Sequence, residues 1–446
     1  MRRWFRRLLV PMAAMGALAP TAVLPAAAAE PAPDIRTVIE AVPGLTVLEE
    51  RPAAPGYRFF ALSLRQPVDH RHPEGATFEQ RMTLLHRAVD RPTVLSTSGY
   101  GVSTTGQSRS EPTALVDGNQ LTTEQRFFGT SRPDPADFST LTVRQAADDH
   151  HHVVEVFKAV YRGKWLSTGS SKGGMASVYH RRFHPDDVDG TIAYSAPDNV
   201  DDRDDSAYLD FLATVGTPEC RAALRAVQRE ALVRRDALVA RYADWAAQQG
   251  RTFRIVGSAD KAFEIAVLRA PFMFWQGGGA PRCADIPRPD ASTDALYSWI
   301  DTVSPFALYT DTVAADFVPY FYQLGTQLNY FTVETAHLAG LLRYPGATDP
   351  RTFVPREIPM RHQPGAMRDI DRWVRQDGTR LLFVYGGTDP AAAEPFRLGR
   401  GSRDSSVHWA PEAAHSVRIA MLPDAERAAA TATIRRWAGV ADQRPS

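Results

Sequence analysis

Lysine is almost missing from this chain: only four of its 51 basic residues are Lys, and the rest are arginine. Neither sign of charge is in surplus, because 51 acidic residues bring the formal net charge to zero. Without a basic excess there is no electrostatic footprint for a nucleic acid, and that class of partner is excluded. Cysteine is scarce as well. Cys220 and Cys283 stand alone, with no histidine near either, so they cannot complete a zinc site. After residue 30 nothing approaches the ~18–20 unbroken apolar residues that a membrane span needs. The glycines at 99, 101 and 106 match neither phosphate-loop spacing, which argues against nucleotide binding. Internal repeats and low-complexity tracts are also lacking.

What is present begins with an unusual first thirty residues. Arg2, Arg3, Arg6 and Arg7 precede an apolar stretch interrupted by Pro11, Pro20 and Pro25, and Ala27-Ala28-Ala29 offers a small-residue cleavage site. This layout predicts a secretory signal peptide over 1–29 and a secreted, extracellular product. Cleavage there leaves 47 basic and 51 acidic residues, a net charge of −4. In an exported chain an even cysteine count reads as one disulfide, Cys220–Cys283. The remaining length, about 415 residues, exceeds one typical core and predicts two domains or one domain carrying a large insertion.

Between residues 57 and 168 strand-like pieces alternate with turns: "YRFFALSLRQ", "ATFEQRMTLLHRA", "TVLSTSG" and "NQLTTEQRF". A helical stretch, "LTVRQAADDHHHVVEVFKAVY", is followed by the short strand "KWLSTG", a second helix and the strand "DGTIAYSAP". Such alternation predicts a mostly parallel sheet covered on both faces. From about residue 200 the pattern becomes helical and aromatic. "CRAALRAVQREALVRRDALVARYADWAAQQG" reads as one long amphipathic helix. Strands resume with "TRLLFVYGG" and "SSVHWA", and "DAERAAATATIRRWAGV" is a terminal helix. The expected organisation is an α/β domain in two parts, 30–199 and 356–446, interrupted by a helical insertion over 200–355. Both cysteines fall in the insertion, 63 positions apart, so a bridge would staple the insertion and not the sheet.

Chemistry enters at "STGSSKGGM", where Ser171 lies between Gly169 and Gly173 at the junction of an expected strand and helix. A serine hydroxyl becomes a nucleophile only when an oriented base removes its proton. A sharp strand-to-helix turn exposes the oxygen, flanking glycines remove side chains that would clash, and the helix N-terminus adds partial positive charge. An α/β-hydrolase then supplies an acid after a late strand and a histidine after the last, in the order Ser…Asp…His. Asp389 follows "LLFVYGGT", and His415 lies 26 positions later, beyond "SSVHWA". Both stand where that template requires them. His408 is the rival base, but it lies inside the strand. The oxyanion donors expected are the backbone amides of Lys172 and of Tyr100 in "STSGYG", with the Tyr100 hydroxyl as an extra donor.

"DDHHH" (148–152) has the look of a metal cluster, yet consecutive helix residues point about 100° apart and cannot converge on one ion. Asp148 with His152, or His151 with Glu155, could share a face. A solvated helix surface is the expectation, and no metal or cofactor is called for. "QGGGA" (276–280) reads as a flexible loop.

Several segments occur together and in order: "QPVDHRHPEGATFEQRM", "TTEQRFFGTSRP", "STGSSKGGM", "IAYSAPDNV" and "YFYQLGTQLNYF", then the Asp389 and His415 segments. With them the chain resembles the secreted bacterial prolyl tri/tetrapeptidyl aminopeptidases, a family of serine exopeptidases. It is more distantly similar to the lysosomal Pro-Xaa carboxypeptidase and dipeptidyl-peptidase family. The resemblance covers most of the mature chain. It implies an α/β-hydrolase fold with a helical cap, hydrolysis from a free N-terminus, often after proline, and a triad of Ser171, Asp389 and His415. In the distant lysosomal relatives an acidic residue occupies the loop where this chain has Ser98, and another the position of Gln327. If those acids hold a terminal amine there, this chain must hold it differently, and Glu124 and Glu334 are the candidates.

A roof of about 150 residues over the exposed serine would admit chain ends and exclude loops of folded proteins. Its aromatic residues, including Phe272, Phe274, Trp275, Tyr320, Phe321 and Tyr322, suit a ring such as proline, with Trp275 and Tyr322 as the candidate contacts. Most of these side chains are expected to form the cap's own core. The reading is thus a monomeric, metal-independent peptidase acting on peptides. Two rivals remain from the sequence: an extracellular esterase or lipase using the same triad, and a catalytically idle binding protein.

Overall fold

A computed structural model describes residues 33–441; the expected signal peptide, 1–29, lies outside that range. Nine strands form one sheet: β1 (Leu45–Arg51), β2 (Arg58–Pro67), β3 (Thr77–His86), β4 (Thr93–Thr97), β5 (Asn119–Thr123), β6 (Trp165–Ser170), β7 (Gly190–Tyr194), β8 (Leu381–Gly386) and β9 (Ser406–Ala410). Their spatial order is β1-β2-β3-β5-β4-β6-β7-β8-β9. The β1–β2, β2–β3 and β3–β5 pairs are antiparallel. Every pairing from β5 across to β9 is parallel. The protein therefore has the α/β-hydrolase fold.

Parallel strands are covered on both faces and read as unbroken apolar runs, whose side chains still alternate. In β8, Leu381, Phe383 and Tyr385 enter one apolar cluster and Leu382 and Val384 the other. The first face is covered by the helices Lys172–Phe183 and Gly365–Gln376, the second by Asp424–Trp437. From β4 the chain runs outward to β5, then returns to β6 on the other side of β4. Ligands bind at the carboxyl ends of strands at such a reversal. The loops that follow β4 and β6 meet there.

Residues 195–380 contain no strand named in the sheet, and six helices between Ser206 and Gln323 cover the carboxyl end. The apolar cluster on the first sheet face runs without a break into these helices, through Phe263, Phe274, Leu296 and Phe321. Two helices matter for the site, Ala259–Gln276 and Asp311–Gln323. The first contains Pro271, which has no amide hydrogen for the carbonyl of Val267 four residues earlier. The Gln228 side chain supplies that missing donor, Nε2 to Val267 O at 2.9 Å. A disulfide joins Cys220 to Cys283.

Two expectations change. The single helix over 220–250 is two, Pro218–Val233 and Arg235–Gln248. Nothing in the sequence marks the break at Arg234, whose guanidinium reaches a distant loop and donates to the carbonyls of Pro289 and Ala291. The histidine run is not a solvated face either. His150 is buried with His180 beside it, while His151 stacks on His184 with ring centroids 3.9 Å apart and planes 8° from parallel. His151, His184 and Asp187 bring one donor atom each within 4.8 Å of one another. Parallel rings point their in-plane lone pairs alongside each other, and the ring nitrogens already bond Asp187 and Asp148.

Candidate active site

The strand-to-helix turn after β6 puts Ser171 at φ 55°, ψ −129°, a backbone conformation that side-chain-bearing residues rarely adopt. Two hydrogen bonds hold it: Ser171 N–H to Tyr194 O at 2.8 Å, and Met175 N–H to Ser171 O at 2.9 Å. The glycines on either side are demanded by close approach. A Cβ at Gly169 would lie 2.3 Å from the Gly173 backbone, and one at Gly173 would lie 2.3 Å from Thr97 O at the end of β4. The helix Lys172–Phe183 starts at once, and amides in a helix's first turn have no intrahelical acceptor.

Lys172 also acts through its side chain. The buried ammonium donates to Gly99 O and lies 4.8 Å from the Phe128 ring centroid and 5.2 Å from that of Tyr100. Burial brings its pKa down to about 7. It ties the loop after β4 to the start of the serine's helix. In that loop the Tyr100 amide is already taken: it donates to Ser98 Oγ at 3.1 Å, and Ser98 Oγ–H donates to Tyr100 O at 2.6 Å. The Tyr100 side chain, by contrast, faces the cavity above Ser171.

Asp389 follows β8 and is fully buried. One of its oxygens receives the Ala391 amide at 3.0 Å, and the other meets His415 Nδ1 at 2.8 Å. A carboxylate can only accept, so Nδ1 carries the proton and Nε2 keeps its lone pair. His415 is fixed along its backbone too, through its N–H to Gln276 O at 3.3 Å and its carbonyl, which accepts from Ser195 Oγ at 3.1 Å. The ring, about a fifth exposed at 22%, opens onto the cavity that Ser171 lines. His408 does not reach it. Its ring bonds Glu426 and Ser406 instead.

The cavity has a volume of about 410 Å³. Its floor is Ser171, Lys172 and His415, and its roof comes from two helices that each offer one stripe of residues. Arg269, Phe272, Met273 and Gln276 line it from the first, and Phe317, Tyr320, Phe321 and Leu324 from the end of the second. Both sets are spaced i, i+3, i+4, i+7, one face of a helix. No aspartate or glutamate lines the cavity among the described residues.

The four residues expected to contact substrate lie elsewhere. Glu124 is fully buried, paired with Arg81 and accepting from the Val102 and Thr130 amides and the Ser131 hydroxyl, so both its oxygens are used internally. Glu334 bonds Arg225 at 3.0 Å and, with Trp275, lines a separate small hollow. Tyr322 packs against Phe138, ring centroids 5.2 Å apart. Trp275 and Tyr322 are aromatic residues of the right helices on the wrong faces. Helical phase was the signal that separates them from Phe272 and Tyr320. Gln327 is buried as well, accepting the Val143 amide at 2.7 Å.

Residues 28–445 match the family described as PS-10 peptidase S37. The chain is 52% identical to the prolyl tri/tetrapeptidyl aminopeptidase of Streptomyces mobaraensis over an alignment of 447 residues, covering 99% of this chain and 93% of that one. Among solved structures, proline iminopeptidase from Mycobacterium smegmatis aligns with a TM-score of 0.41 at 15% identity, over 84% of this chain and 98% of that one. VinJ aligns with a TM-score of 0.40 at 13% identity, over 88% of this chain and all of the other.

Proposed function

Since this chain belongs to the S37 peptidase family and is a serine peptidase, we propose that Ser171, His415 and Asp389 carry out its hydrolysis and that it releases short peptides, chiefly tripeptides, from free N-termini, favouring proline before the cut. One observation carries this reading: the Asp389–His415 couple and the strained Ser171 open onto the same roofed cavity. In this conformation no direct hydrogen bond joins the Ser171 and His415 side chains, as is common before substrate arrives.

His415 Nε2 takes the Ser171 proton as Oγ attacks the scissile carbonyl carbon. Asp389 keeps the other imidazole proton on Nδ1 and stabilises the imidazolium that forms. The oxyanion is received by the Lys172 amide and, because the Tyr100 amide is occupied, by the Tyr100 hydroxyl. The imidazolium passes its proton to the leaving amine, which departs and leaves an acyl-serine. Water then attacks, giving its proton to His415, and the serine is regenerated.

The helical stretch 200–355 acts as a cap that restricts access to chain ends. A volume of about 410 Å³ lies in the range of small-ligand sites, ~300–1,000 Å³, and suits a few residues of extended chain. The Streptomyces relative is named a prolyl tri/tetrapeptidyl aminopeptidase, which supports this reading. Export is supported by the Cys220–Cys283 disulfide, a bond that persists in oxidising compartments.

The test compares Ala-Ala-Pro, Ala-Pro and Pro chromogenic amides, each with a free and a blocked amine, on the wild type and on Ser171→Ala. The free Ala-Ala-Pro amide should be the best substrate, the blocked forms poor, and Ser171→Ala slower by at least about 10⁴-fold. Equal turnover of free and blocked amides would remove the exopeptidase assignment. Full activity in the alanine variant would remove the nucleophile.

A further inference from the structure

The cavity lining includes two basic side chains, Lys172 and Arg269, and no acidic one among the described residues. Lys172 is accounted for by the Gly99 carbonyl and two aromatic rings. Arg269 is not. It projects from the same helical stripe as Phe272, Met273 and Gln276, forms no ion pair or hydrogen bond among the described residues, and its Nε is buried without an acceptor. Around it stand the uncharged phenols of Tyr330, Tyr309, Tyr320 and Tyr100, and its Cζ lies 5.9 Å from the Phe321 ring centroid. Arg269 is half-buried and lines the cavity.

The buried arginines among the described residues, Arg126, Arg235 and Arg181, are each served by acceptors. Arg126 bonds Asp149 and the carbonyls of Pro67, Val68 and Thr140. Arg235 bonds Asp260, Glu264 and the carbonyl of Leu341. Arg181 bonds the carbonyls of Val188 and Thr379 and the hydroxyl of Thr379. A guanidinium presents five donors and stays charged, so a half-buried one without protein acceptors keeps donors free for a ligand. An acceptor that arrives with the substrate fills them only in the bound state.

The chemistry of the substrate selects the acceptor. With its scissile carbonyl at Ser171, a tripeptide acyl group carries two further main-chain carbonyls and an ammonium, and no negative charge unless a side chain brings one. A guanidinium repels the ammonium and binds carbonyl oxygens. We propose that Arg269 is a substrate-binding residue that donates to a non-scissile main-chain carbonyl of the acyl segment, fixing the length and direction of peptide lying between the roof and Ser171. The proposal rests on Ser171 being the nucleophile. It makes the affinity of the cavity depend on peptide backbone, which any sequence of side chains supplies.

Arg269→Met and Arg269→Lys are assayed on the free Ala-Ala-Pro amide and on p-nitrophenyl acetate, whose only carbonyl is the one attacked. Arg269→Met should lose roughly 10- to 100-fold in kcat/KM on the tripeptide amide, the size of one charge-assisted hydrogen bond. Acetate release should stay within about twofold of wild type, because that ester has nothing for Arg269 to hold. Arg269→Lys keeps the charge and should recover part of the loss, which also covers the case in which the methionine variant fails to fold. A tripeptide amide with a methylene in place of the relevant non-scissile carbonyl should be poor for wild type and no poorer for Arg269→Met. Parallel losses on amide and acetate, or no loss on the amide, overturn the proposal. Ser171→Ala separates the two levels. If it retains turnover, the catalytic reading falls and this proposal with it; if it is inert while Arg269→Met is unimpaired, the proposal alone falls.

Discussion

At the scale of single residues, the three proposed catalytic positions were legible because each is dictated locally. The Gly-x-Ser-x-Gly turn leaves room for nothing but hydrogen at Gly169 and Gly173, and Asp389 and His415 sit just past the ends of apolar strands. The substrate contacts were not legible by residue type. Glu124 looked like a free acid and is a buried partner of Arg81, whereas Arg269, without any motif around it, faces the cavity. A lone polar residue announces itself only through the partners it lacks, and those are a property of the packed state. The same holds for His150, whose Nδ1 is buried without a partner. Burial, helped by neighbouring His180, holds its pKa at about 3, against 6.5 for an exposed ring. Below pH 6.5 the unfolded chain takes up a proton that the native state refuses, so stability falls as pH drops from 6.5 towards 3. His86, lowered to about 4 mainly by burial, has the same sign. His150→Leu should therefore move the midpoint of acid unfolding to lower pH, with a gain of up to a few kcal/mol near pH 4 and little change at pH 8. Circular dichroism across that range measures it, and an unshifted midpoint would refute the account.

At the scale of elements, the strands from β2 to β9 and the covering helices Lys172–Phe183 and Asp424–Trp437 follow from alternation and turn residues, whereas the covering helix Gly365–Gln376 is not among the helices the sequence reading marks. β1 was missed because it is an edge strand whose burial barely alternates, so its sequence "LTVLEER" shows little apolar period. The break at Arg234 was hidden for the opposite reason, since both halves are good helix and the partners of the Arg234 guanidinium lie in a distant loop. The disulfide concerns one set of elements, tying the helix Pro218–Val233 to the turn at Ala280–Asp285. Closing a loop over a separation of 63 residues restricts the unfolded chain by about 4 kcal/mol in the chain-entropy treatment. The Cys220→Ser/Cys283→Ser double variant should lose stability by up to about 4 kcal/mol in denaturant titration while its kcat at 25 °C stays close to wild type, because neither cysteine lines the cavity. A large drop in kcat with unchanged stability would contradict the staple role.

At the scale of the whole molecule, the apolar cluster that covers one sheet face continues into the roof helices, from Met175 and Phe383 to Phe263 and Leu296. Two bodies that share one core have no plane along which to part. Calorimetry should accordingly show one unfolding transition for the intact chain, with activity lost over the same temperatures. Two separated transitions, the first abolishing activity, would mean that the roof folds as an independent unit. This continuity was invisible in the sequence, where 200–355 stands out as a change of texture and invites treatment as a separate domain.

The polymer's course has one more consequence. Ser171 sits at the end of β6, but the chain leaves the sheet after β7 at Tyr194 and rejoins it at Leu381, so Asp389 and His415 are among the last parts to be synthesised. Under the proposed mechanism, a polypeptide cut short before residue 389 presents the alcohol with neither acid nor base to activate it, and should be hydrolytically inert.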